Sequence, residues 1–462
     1  MRILIYSYNY HPEPIGIAPL MTELAEGLVK RGHEVRVVTA MPNYPQRQIY
    51  KEYRGKFFVT EEKNGVKIQR SFVWIRPQPN LLDRILLDAS FALTSFVPAL
   101  SGWRPSVILT TSPSLPCCVP AALLGWWNRC PVVLNLQDIL PDAAIHVGLL
   151  KNKYLIKVFQ TLEKFAYRTA TKISVIADGF VDNLLQKGVA ANKMVKIPNW
   201  VDVNFIRSLS KEDNEFRHTH NLNGKFVVMY SGNIALTQGL ETVVKAASQV
   251  RHIRDIVVVI VGEAKGLQRL QLECDKYGAD NVILLPFHKR EKLPTMLAAA
   301  DVSLVVQKKN VISFNMPSKI QVALASGRAI IASVPDTGTA AKAISSSGGG
   351  IVVPPEDPDA LANSILQLYS APELVNSLGY NSRKYAVENY SFDNALNQYE
   401  NLFYAITEPA TSPAVQAVID NSVQPIVQPV VIQPRYEPIF YTVSENEVTR
   451  KPKTVSKRTL TE

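Results

Sequence analysis

Short apolar runs alternate with longer amphipathic segments along most of the chain. Ile3–Tyr6 is a compact apolar run, and the segment from Ala18 to Arg31 then repeats apolar residues at helical spacing. After a break at Gly32-His33, Val35–Thr39 is again short and β-branched. Strand, helix and strand in this order form the βαβ unit of a parallel sheet. The pattern therefore predicts an α/β fold from the first residues onward.

The same alternation predicts the rest of a first domain, residues 1–200. The predicted elements are strands at Val107–Thr110, Val132–Leu136 and Lys172–Ile176, and helices at Leu115–Trp127 and Lys153–Thr169. Residues 201–225 lose this periodicity and gather charged residues, His, Asn and Gly. Such a change in composition is typical of a linker between domains.

A second series of strands follows the predicted linker. They are Phe226–Tyr230, Ile256–Val261, Val282–Leu285, Val302–Val306, Ala329–Ala332 and Gly350–Val353. Asp357 is a good N-cap, and Pro358 suits the first position of the next helix. We predict a second domain over residues 226–390 and a closing helix over 391–406. The predicted fold class is thus two doubly wound, Rossmann-like α/β domains that face a central cleft.

Composition agrees with two domains and adds a tail. The chain has 462 residues with 47% apolar content, which is enough to fill two cores. From residue 407 onward the chain is rich in Pro, Val and Gln and ends in a basic stretch, so we expect a disordered tail over residues 407–462. Met1-Arg2 leads straight into the first strand without a signal peptide, which predicts a cytoplasmic location.

The charge and the cysteines narrow the function classes. A net charge of +10 suits nucleic acid, an anionic membrane or an anionic diphosphate, but Lys and Arg are interspersed with Glu and Asp and form no basic stripe. We therefore expect no nucleic-acid partner.

The cysteines show neither metal-ligand spacing nor a disulfide framework, and we expect reduced thiols at Cys117, Cys118, Cys130 and Cys274. No Walker-type loop and no repeat of His and Asp/Glu at metal spacing is present in the sequence, which disfavours metal and ATP chemistry, and we expect no cofactor.

Two loops are candidates for phosphate binding. The first strand runs through a loop containing Gly16 directly into a helix beginning near Ile17, and the first strand of the second domain runs into a loop with Gly232, Asn233 and Gln238. Glycine lets a ligand approach the backbone, and free N–H groups at a helix start attract phosphate. A single Gly is more often simple turn chemistry. Two such loops at matching places predict a diphosphate held between the domains.

Further candidate residues follow other strands. Gly262 ends a strand, and Phe287 suits either base recognition or core packing. Ser318 and Lys319 begin a helix, where a cation opposes the helix dipole unless it meets an anion, although a solvated Lys is also consistent. Asp138 follows a strand of the first domain, where it either binds an acceptor hydroxyl or caps a turn.

An apolar stretch at residues 81–100 raises the question of membrane contact. Asp83, Arg84 and Asp88 interrupt it, so it is no transmembrane helix. It suits either a buried helix of the first domain or a helix lying on a membrane interface. The nearby interface-prone residues are Trp103, Trp126 and Trp127.

Four stretches carry a family resemblance. They are Gly32-His33-Glu34-Val35, Asp138-x-x-Pro141, the segment Ile197–Asp202, and Gly232-Asn233 through Gly239. These stretches resemble the retaining glycosyltransferases of GT-B family four, and the resemblance covers about residues 1–406. It is nearest to the colanic-acid-type, fucosyltransferase-like branch of bacterial surface polysaccharide synthesis.

The resemblance implies transfer of a sugar from a nucleotide-diphosphate donor, a GDP- or UDP-sugar, without a metal. The donor is expected in the second domain and a lipid-linked glycan acceptor in the first, with peripheral contact to the inner membrane surface. The positions carried over by the resemblance are Gly16, Gly232, Asn233 and Lys319.

The sequence also departs from the wider family pattern. Asn233 and Gln238 stand where the family usually has Arg and Lys, and its pair of glutamates would fall near Phe314 and Val322. Two alternatives therefore stay open. A nucleotide-sugar epimerase shares this fold but needs acids and His in the cleft, and a noncatalytic nucleotide-sugar-binding protein would tolerate the missing glutamates.

Overall fold

The computed structural model describes residues 1–408, except residues 15, 101, 113, 147, 312, 313 and 315 and the side chains of residues 81 and 236. From residue 409 onward, the predicted disordered tail lies outside the described residues. The strands of the first domain are β1 Arg2–Tyr6, β2 Glu34–Ala40, β3 Phe58–Lys63, β4 Val66–Ser71, β5 Val107–Thr111, β6 Val132–Leu136, β7 Lys172–Val175 and β8 Met194–Lys196. They form one sheet in the order β3-β4-β2-β1-β5-β6-β7-β8. All neighbours are parallel except the hairpin of β3 and β4.

Helices cover both faces of this sheet. They are α1 Ile17–Lys30, α2 Leu81–Ala99, α3 Cys118–Asn128, α4 Asp142–His146, α5 Lys153–Thr169 and α6 Asp178–Gln186. Because side chains alternate along a strand, β1 turns Ile3 and Ile5 toward the core under α1 and Leu4 and Tyr6 toward the core under α2 and α3. Phe91 of α2 is fully buried in this second layer.

The second domain repeats the architecture on a parallel sheet. Its strands are β9 Phe226–Ser231, β10 Ile256–Gly262, β11 Val282–Pro286, β12 Val302–Val306, β13 Ala329–Ser333 and β14 Gly350–Val353, in the order β11-β10-β9-β12-β13-β14. Its helices are α7 Glu215–Thr219, α8 Glu241–Val250, α9 Ala264–Tyr277, α10 Leu293–Ala298, α11 Lys319–Ala325, α12 Thr339–Ser347, α13 Pro358–Ser370 and α14 Pro372–Asn389. As predicted, Asp357 caps α13, where its side chain accepts from the Ala360 amide at 2.9 Å.

The last described helix, α15 Phe392–Thr407, returns to the first domain and packs against α1. Tyr399 is buried there and receives a hydrogen bond of 2.7 Å from the Asn135 amide at the end of β6. Asn135 and Gln137 in turn connect to Asn199 through amide hydrogen bonds of 2.7 to 3.0 Å. This polar chain fixes the closing helix beneath the carboxyl edge of the first sheet.

The two domains meet at the carboxyl ends of their sheets. Lys342 of α12 forms an ion pair of 2.8 Å with Asp182 of α6, and both helices follow the carboxyl ends of strands. On the same side, the His146 ring nitrogen Nε2 lies 2.6 Å from the Asn310 carbonyl oxygen. These contacts place the two carboxyl edges opposite each other, which confirms the predicted GT-B arrangement around a cleft.

Most of the predicted elements are confirmed. The helix predicted at Leu115–Trp127 begins as a 3-10 turn at Leu115–Cys117 before α3. The hairpin β3–β4, helix α6 and strand β8 went unpredicted. Residues 201–225 contain α7, and Phe216 of that helix packs into the core of the second domain. The cysteines are free, as predicted, and all but the half-buried Cys130 are buried.

Candidate active site

Each sheet has one place where the strand order reverses, and the candidate loops lie there. In the first sheet, β1 and β5 are neighbours. The chain continues from β1 to β2 on one side of this pair and from β5 to β6 on the other side. In the second sheet, β9 and β12 form the corresponding pair. Ligands of doubly wound folds bind in the crevice outside the carboxyl ends of such strands. The Gly16 loop follows β1 and the Gly232 loop follows β9, so both open into the cleft.

Gly16 precedes the first turn of α1 and has a conformation that favours glycine. Its φ is 72° and its ψ is −142°, and as a glycine it provides no side-chain cap for the amides of the first turn. A Cβ added at Gly16 would meet no atom within 4 Å, so the space beside the backbone is open. Ile17 packs into the first core, which leaves its backbone amide as the only group that it can offer to a ligand.

The Lys319 side chain packs against the backbone of the Gly232 loop. A Cβ at Gly232, whose φ is 142°, would lie 2.5 Å from Cε and 3.0 Å from Nζ of Lys319. The Lys319 ammonium donates to the Tyr230 hydroxyl, to the Asn233 carbonyl at 3.3 Å and to the Gln238 side-chain oxygen at 3.4 Å. It also lies 4.1 Å from the centre of the Tyr230 ring. The structure thus brings together four of the sequence-predicted residues at one point.

The Lys319 charge is held in surroundings that do not neutralise it. Its three hydrogen-bond acceptors are neutral, and within the described part of the chain it forms no ion pair. Burial lowers its pKa to about 8, while the nearby Glu263 acts in the opposite direction. A half-buried cation whose hydrogen-bond acceptors are all neutral is a favourable position for a diphosphate.

A second lysine lies against the same loop and went unnoticed in the sequence. The backbone N–H of Lys308, just after β12, donates to the Thr237 carbonyl at 2.9 Å. Its aliphatic chain packs on Gly239, where a Cβ would meet Lys308 Cγ at 3.0 Å. Lys308 and Lys319 therefore bring cations to this loop from β12 and α11. No motif marked Lys308, because it comes from a different strand.

Gly262 has a packing reason that the sequence did not reveal. A Cβ there would lie 2.4 Å from Cδ1 of Ile234, so the glycine makes room for that side chain. The Ile234 amide donates to the Glu263 carboxylate at 2.9 Å. Glu263, expected with Gly262 at a strand end facing the cleft, holds the loop through this bond, and Tyr230, to which sequence reasoning assigned no role, accepts from Lys319.

The remaining predicted residues of the second domain border the cleft more loosely. Phe287 follows the edge strand β11 and is 49% exposed, which excludes core packing. Ser318 precedes α11 with an exposed side chain that makes no cap hydrogen bond. Neither side chain is among the described hydrogen-bond acceptors of the Lys319 ammonium. Both stay predictions as donor-binding residues.

Asp138 lies at the carboxyl end of β6, on the first-domain side of the cleft. Its side chain is exposed and accepts no hydrogen bond from the following turn, so capping does not explain it. The surrounding protein still excludes enough water to raise the pKa of its carboxyl group above the ordinary value. The Ser112 hydroxyl donates to the Asp138 carbonyl at 3.2 Å, which connects β5 with β6 here.

Comparison with known proteins agrees with this geometry. The model of the "Glycosyl transferase 4-like domain" matches residues 16–200, and that of "Glycosyl transferases group 1" matches residues 211–385. WcaI of Escherichia coli K12, described as a glycosyl transferase of colanic acid biosynthesis, is 32% identical over 409 residues. That alignment covers 87% of this chain and 99% of WcaI.

The chain belongs to GT-B glycosyltransferase family four.

Other relatives of this glycosyltransferase are more distant. WbjE of Pseudomonas aeruginosa, also named as a glycosyltransferase, is 26% identical over 63% of this chain and 70% of its own length. Among solved structures, HepE of Anabaena in complex with UDP has a TM-score of 0.65 at 16% identity, and covers 88% of this chain and 100% of its own. Sucrose-phosphate synthase of Thermosynechococcus elongatus has a TM-score of 0.63 at 19% identity, covering 87% and 98%. These structures show the same fold.

The positions of the usual glutamate pair serve packing in this glycosyltransferase. Phe314 is buried and meets the Phe180 ring of the first domain at 5.7 Å in an edge-on contact. Val322 of α11 packs against the core of the second domain. The departure from the wider pattern thus has a structural role, because Phe314 joins the two domains beside the cleft.

Two searches of the described residues bear on metals and membranes. No group of three or more His, Cys, Asp or Glu is arranged there to hold a metal ion. Across the same residues, no helix combines the length and apolar content needed to cross a bilayer. The prediction of a metal-independent reaction stays a prediction.

The state of Lys319 makes nucleotide binding depend on pH. Since its pKa of about 8 is depressed, the ammonium loses its proton as the pH rises through that value, and a bound diphosphate would restore the charge. We expect the affinity for UDP or GDP to fall above about pH 8, with uptake of roughly half a proton at that pH. Calorimetry in buffers of different ionisation enthalpy measures both effects.

The variant Lys319→Arg supplies the control for this prediction. Arginine keeps its charge at every accessible pH, so its nucleotide affinity should stay level across this range. Equal pH dependence in wild type and Lys319→Arg would assign the titration to another group.

Proposed function

We propose that this glycosyltransferase is a retaining enzyme that moves a sugar from a GDP- or UDP-sugar to a lipid-linked glycan acceptor in surface polysaccharide synthesis. The observation that carries the donor side is the convergence of Lys319 with the Gly232 loop at the reversal point of the second sheet. The kinship with WcaI, named for colanic acid biosynthesis, supports the polysaccharide setting. The fold shared with HepE, whose structure contains UDP, supports a nucleotide donor.

The geometry suits electrostatic catalysis by groups already in place. As the bond between the anomeric carbon and the diphosphate oxygen breaks, negative charge collects on the departing diphosphate. The Lys319 ammonium and the amides of the Gly232 loop stabilise that charge without reorganising. The acceptor hydroxyl forms the new bond on the same face of the sugar, and its proton passes to an oxygen of the departing diphosphate. Anomeric configuration is thereby retained.

The acceptor side of the proposal rests on an apolar outer surface of the first domain. Helices α2, α3 and α5 lie side by side on one face of the sheet, and each exposes large apolar side chains. The most exposed are Leu82, Leu93, Val97, Trp126, Trp127, Tyr154 and Val158. We call this the three-helix surface. The inner face of α2 is buried and its outer face is mostly apolar and exposed, which supports a membrane-facing role for the outer face.

Charge on the three-helix surface fits an anionic membrane. The exposed charged residues of these helices, with Arg129 at the end of α3, are all basic: Arg84, Arg129, Lys153, Lys157, Lys164 and Arg168. The acids Asp83 and Glu163 of the same helices are buried. A cavity of about 500 Å³ also opens beside Trp126 and Arg129. Apolar side chains ringed by basic ones are typical of surfaces that lie on anionic lipid.

Vesicle binding tests the membrane contact. We expect the protein to float with vesicles containing phosphatidylglycerol and much less with pure phosphatidylcholine. The double variant Leu93→Glu/Trp127→Glu should weaken binding at least about tenfold, because it removes two apolar anchors and adds repulsion. Leu272→Glu, which changes an equally exposed leucine of α9 in the other domain, is the matched control. Equal flotation of the wild type, the double variant and Leu272→Glu would contradict the proposal that the three-helix surface binds the membrane.

Labelled donors test the catalytic proposal. Purified protein is incubated with radiolabelled GDP- and UDP-sugars and with lipid-linked glycans extracted from the membranes of the source organism. Labelled lipid supports the transferase. An isomerised donor would indicate the epimerase instead, and donor retention without product would indicate a noncatalytic binder.

A further inference from the structure

An acid on the inner face of α2 lies at the reversal point of the first sheet. Asp88 is one turn before Phe91 and two turns before Ser95, and both of those side chains are fully buried against the sheet. Asp88 therefore turns toward the strand ends and away from the exposed outer face of α2. In the sequence, it counted only as an interruption of an apolar run.

The residues around Asp88 follow both strands of the reversal point. The Ser114 hydroxyl, just after β5, donates to the carboxylate at 2.8 Å. Tyr8, just after β1, packs its ring edge-on against Phe91 with the centroids 5.3 Å apart. The Tyr8 hydroxyl in turn receives a hydrogen bond of 3.2 Å from the Asn43 amide. Since β1 and β5 are neighbours, Asp88 lies at the same carboxyl edge of the sheet at which the Gly16 loop leaves β1.

Asp88 retains capacity for another hydrogen bond. Ser114 is its only hydrogen-bond partner within the described residues, and none of these residues forms an ion pair with it. The side chain is half-buried, and its second oxygen has no partner among the described residues yet is not sealed from solvent. A carboxylate normally accepts several hydrogen bonds, and a half-buried one with a single partner is unusual in a purely structural role.

We infer that Asp88, held by Ser114 beside Tyr8, binds a sugar hydroxyl of the acceptor. A carboxylate oxygen is a strong acceptor for such a hydroxyl, and the Tyr8 ring offers an apolar wall beside it. The inference rests on the proposed function and places the acceptor sugar across the cleft from Lys319. Asp138, joined to β5 through Ser112, borders the neighbouring part of this edge.

The electrostatics give this role a pH signature. Burial raises the pKa of the Asp88 carboxyl to about 6, and the hydrogen bond from Ser114 acts against that rise. The titratable groups facing it are Tyr8 and Cys117, whose own pKa values are raised by burial, so both stay neutral at pH 6 to 8. Arg36, on the same face of the sheet, lies at the far end of β2 over Trp103. Glu13, which also acts on Tyr8, has its pKa raised by burial too, but it accepts hydrogen bonds from the Asn43 and Tyr44 amides. Asp88 is the carboxyl group beside Ser114 whose charge changes near pH 6.

The melting temperature of the variant Asp88→Asn distinguishes a binding role of Asp88 from a structural role. A carboxyl with a raised folded pKa makes unfolding easier once it is ionised, because the folded state holds its proton more tightly than the unfolded chain does. Its contribution to stability is thus lost as the pH rises from about 4 to about 6. Asp88→Asn should accordingly keep or raise the melting temperature at pH 7.5, whereas a carboxylate needed for folding would lower it.

The experiment combines kinetics with Asp88→Asn and Ser114→Ala. With the membrane-extracted lipid-linked glycans as acceptor probe, wild-type kcat/KM for acceptor should fall below about pH 6. Asp88→Asn should lower it at least about tenfold at pH 7.5, chiefly through KM, and abolish the acid limb. Ser114→Ala should move that limb to higher pH. Affinity for UDP and GDP should be unchanged, and Asp213→Asn is the exposed-carboxylate control.

The outcomes distinguish this inference from the proposed function. Absence of transfer by wild type would contradict the proposed function and the acceptor role with it. Wild-type transfer that Asp88→Asn leaves within twofold, with an unchanged acid limb, would overturn the Asp88 inference alone. A lowered melting temperature together with a parallel loss of nucleotide affinity would also overturn it, since that pattern belongs to a structural residue.

Discussion

Replacing Lys319 with alanine is expected to lower transfer activity and nucleotide affinity about 100-fold, the size of effect seen when one group that stabilises a developing negative charge is removed. The reason lies in the surroundings of the ammonium, whose acceptors are all neutral. Without the ammonium, a diphosphate in the Gly232 loop would meet backbone amides and the more distant Lys308. Activity assays and titration with UDP and GDP measure the loss.

Folding should respond little to this change. Burial depresses the pKa of Lys319, so the charged side chain weakens stability near neutral pH, and its removal should not lower the melting temperature. Lys384→Ala, an exposed lysine of α14, serves as control and should leave all three readouts unchanged. A large loss of stability with undiminished nucleotide affinity would contradict the assigned role.

Gly232→Ala should have the second-largest effect, with activity falling tenfold to 100-fold. A φ of 142° is nearly confined to glycine, and forcing another residue into it adds about 1 to 3 kcal/mol of strain. The new Cβ would also press on Cε and Nζ of Lys319 and displace the ammonium from the loop.

Gly224→Ala separates the two causes in Gly232→Ala. Gly224 also has a positive φ, 72°, but a Cβ there meets nothing within 4 Å. Both variants should lose some stability, whereas only Gly232→Ala should lose nucleotide affinity. If the two lost affinity equally, the Gly232 effect would be one of general strain.

The sequence predicted helices and strands well where neighbouring residues determine them, through caps and the spacing of apolar positions. Helix α5 begins and ends as predicted, at Lys153 and Thr169, because Asn152 caps it through the Tyr154 amide at 2.9 Å and its apolar positions repeat at helical spacing. Strand β3 was missed, since it lies at the sheet edge and four of the six residues of Phe58–Lys63 are exposed and three are charged.

The candidate site was predictable only where its residues share a loop or a motif. Gly232, Asn233 and Gln238 follow one another in the chain, and the structure brings Lys319 to them from α11. Lys308 and Asp88 reach the cleft through strand order and helix orientation, which depend on contacts between residues far apart in sequence. Neither position has a local signal that separates it from an ordinary charged side chain.

A crystal structure of the protein with UDP or GDP tests the central claim most directly. The account predicts the diphosphate in the crevice at the ends of β9 and β12, against the Gly232 loop, with Lys319 Nζ at hydrogen-bond distance from a phosphate oxygen. A diphosphate bound elsewhere, with Lys319 still donating to Tyr230, Asn233 and Gln238, would contradict it.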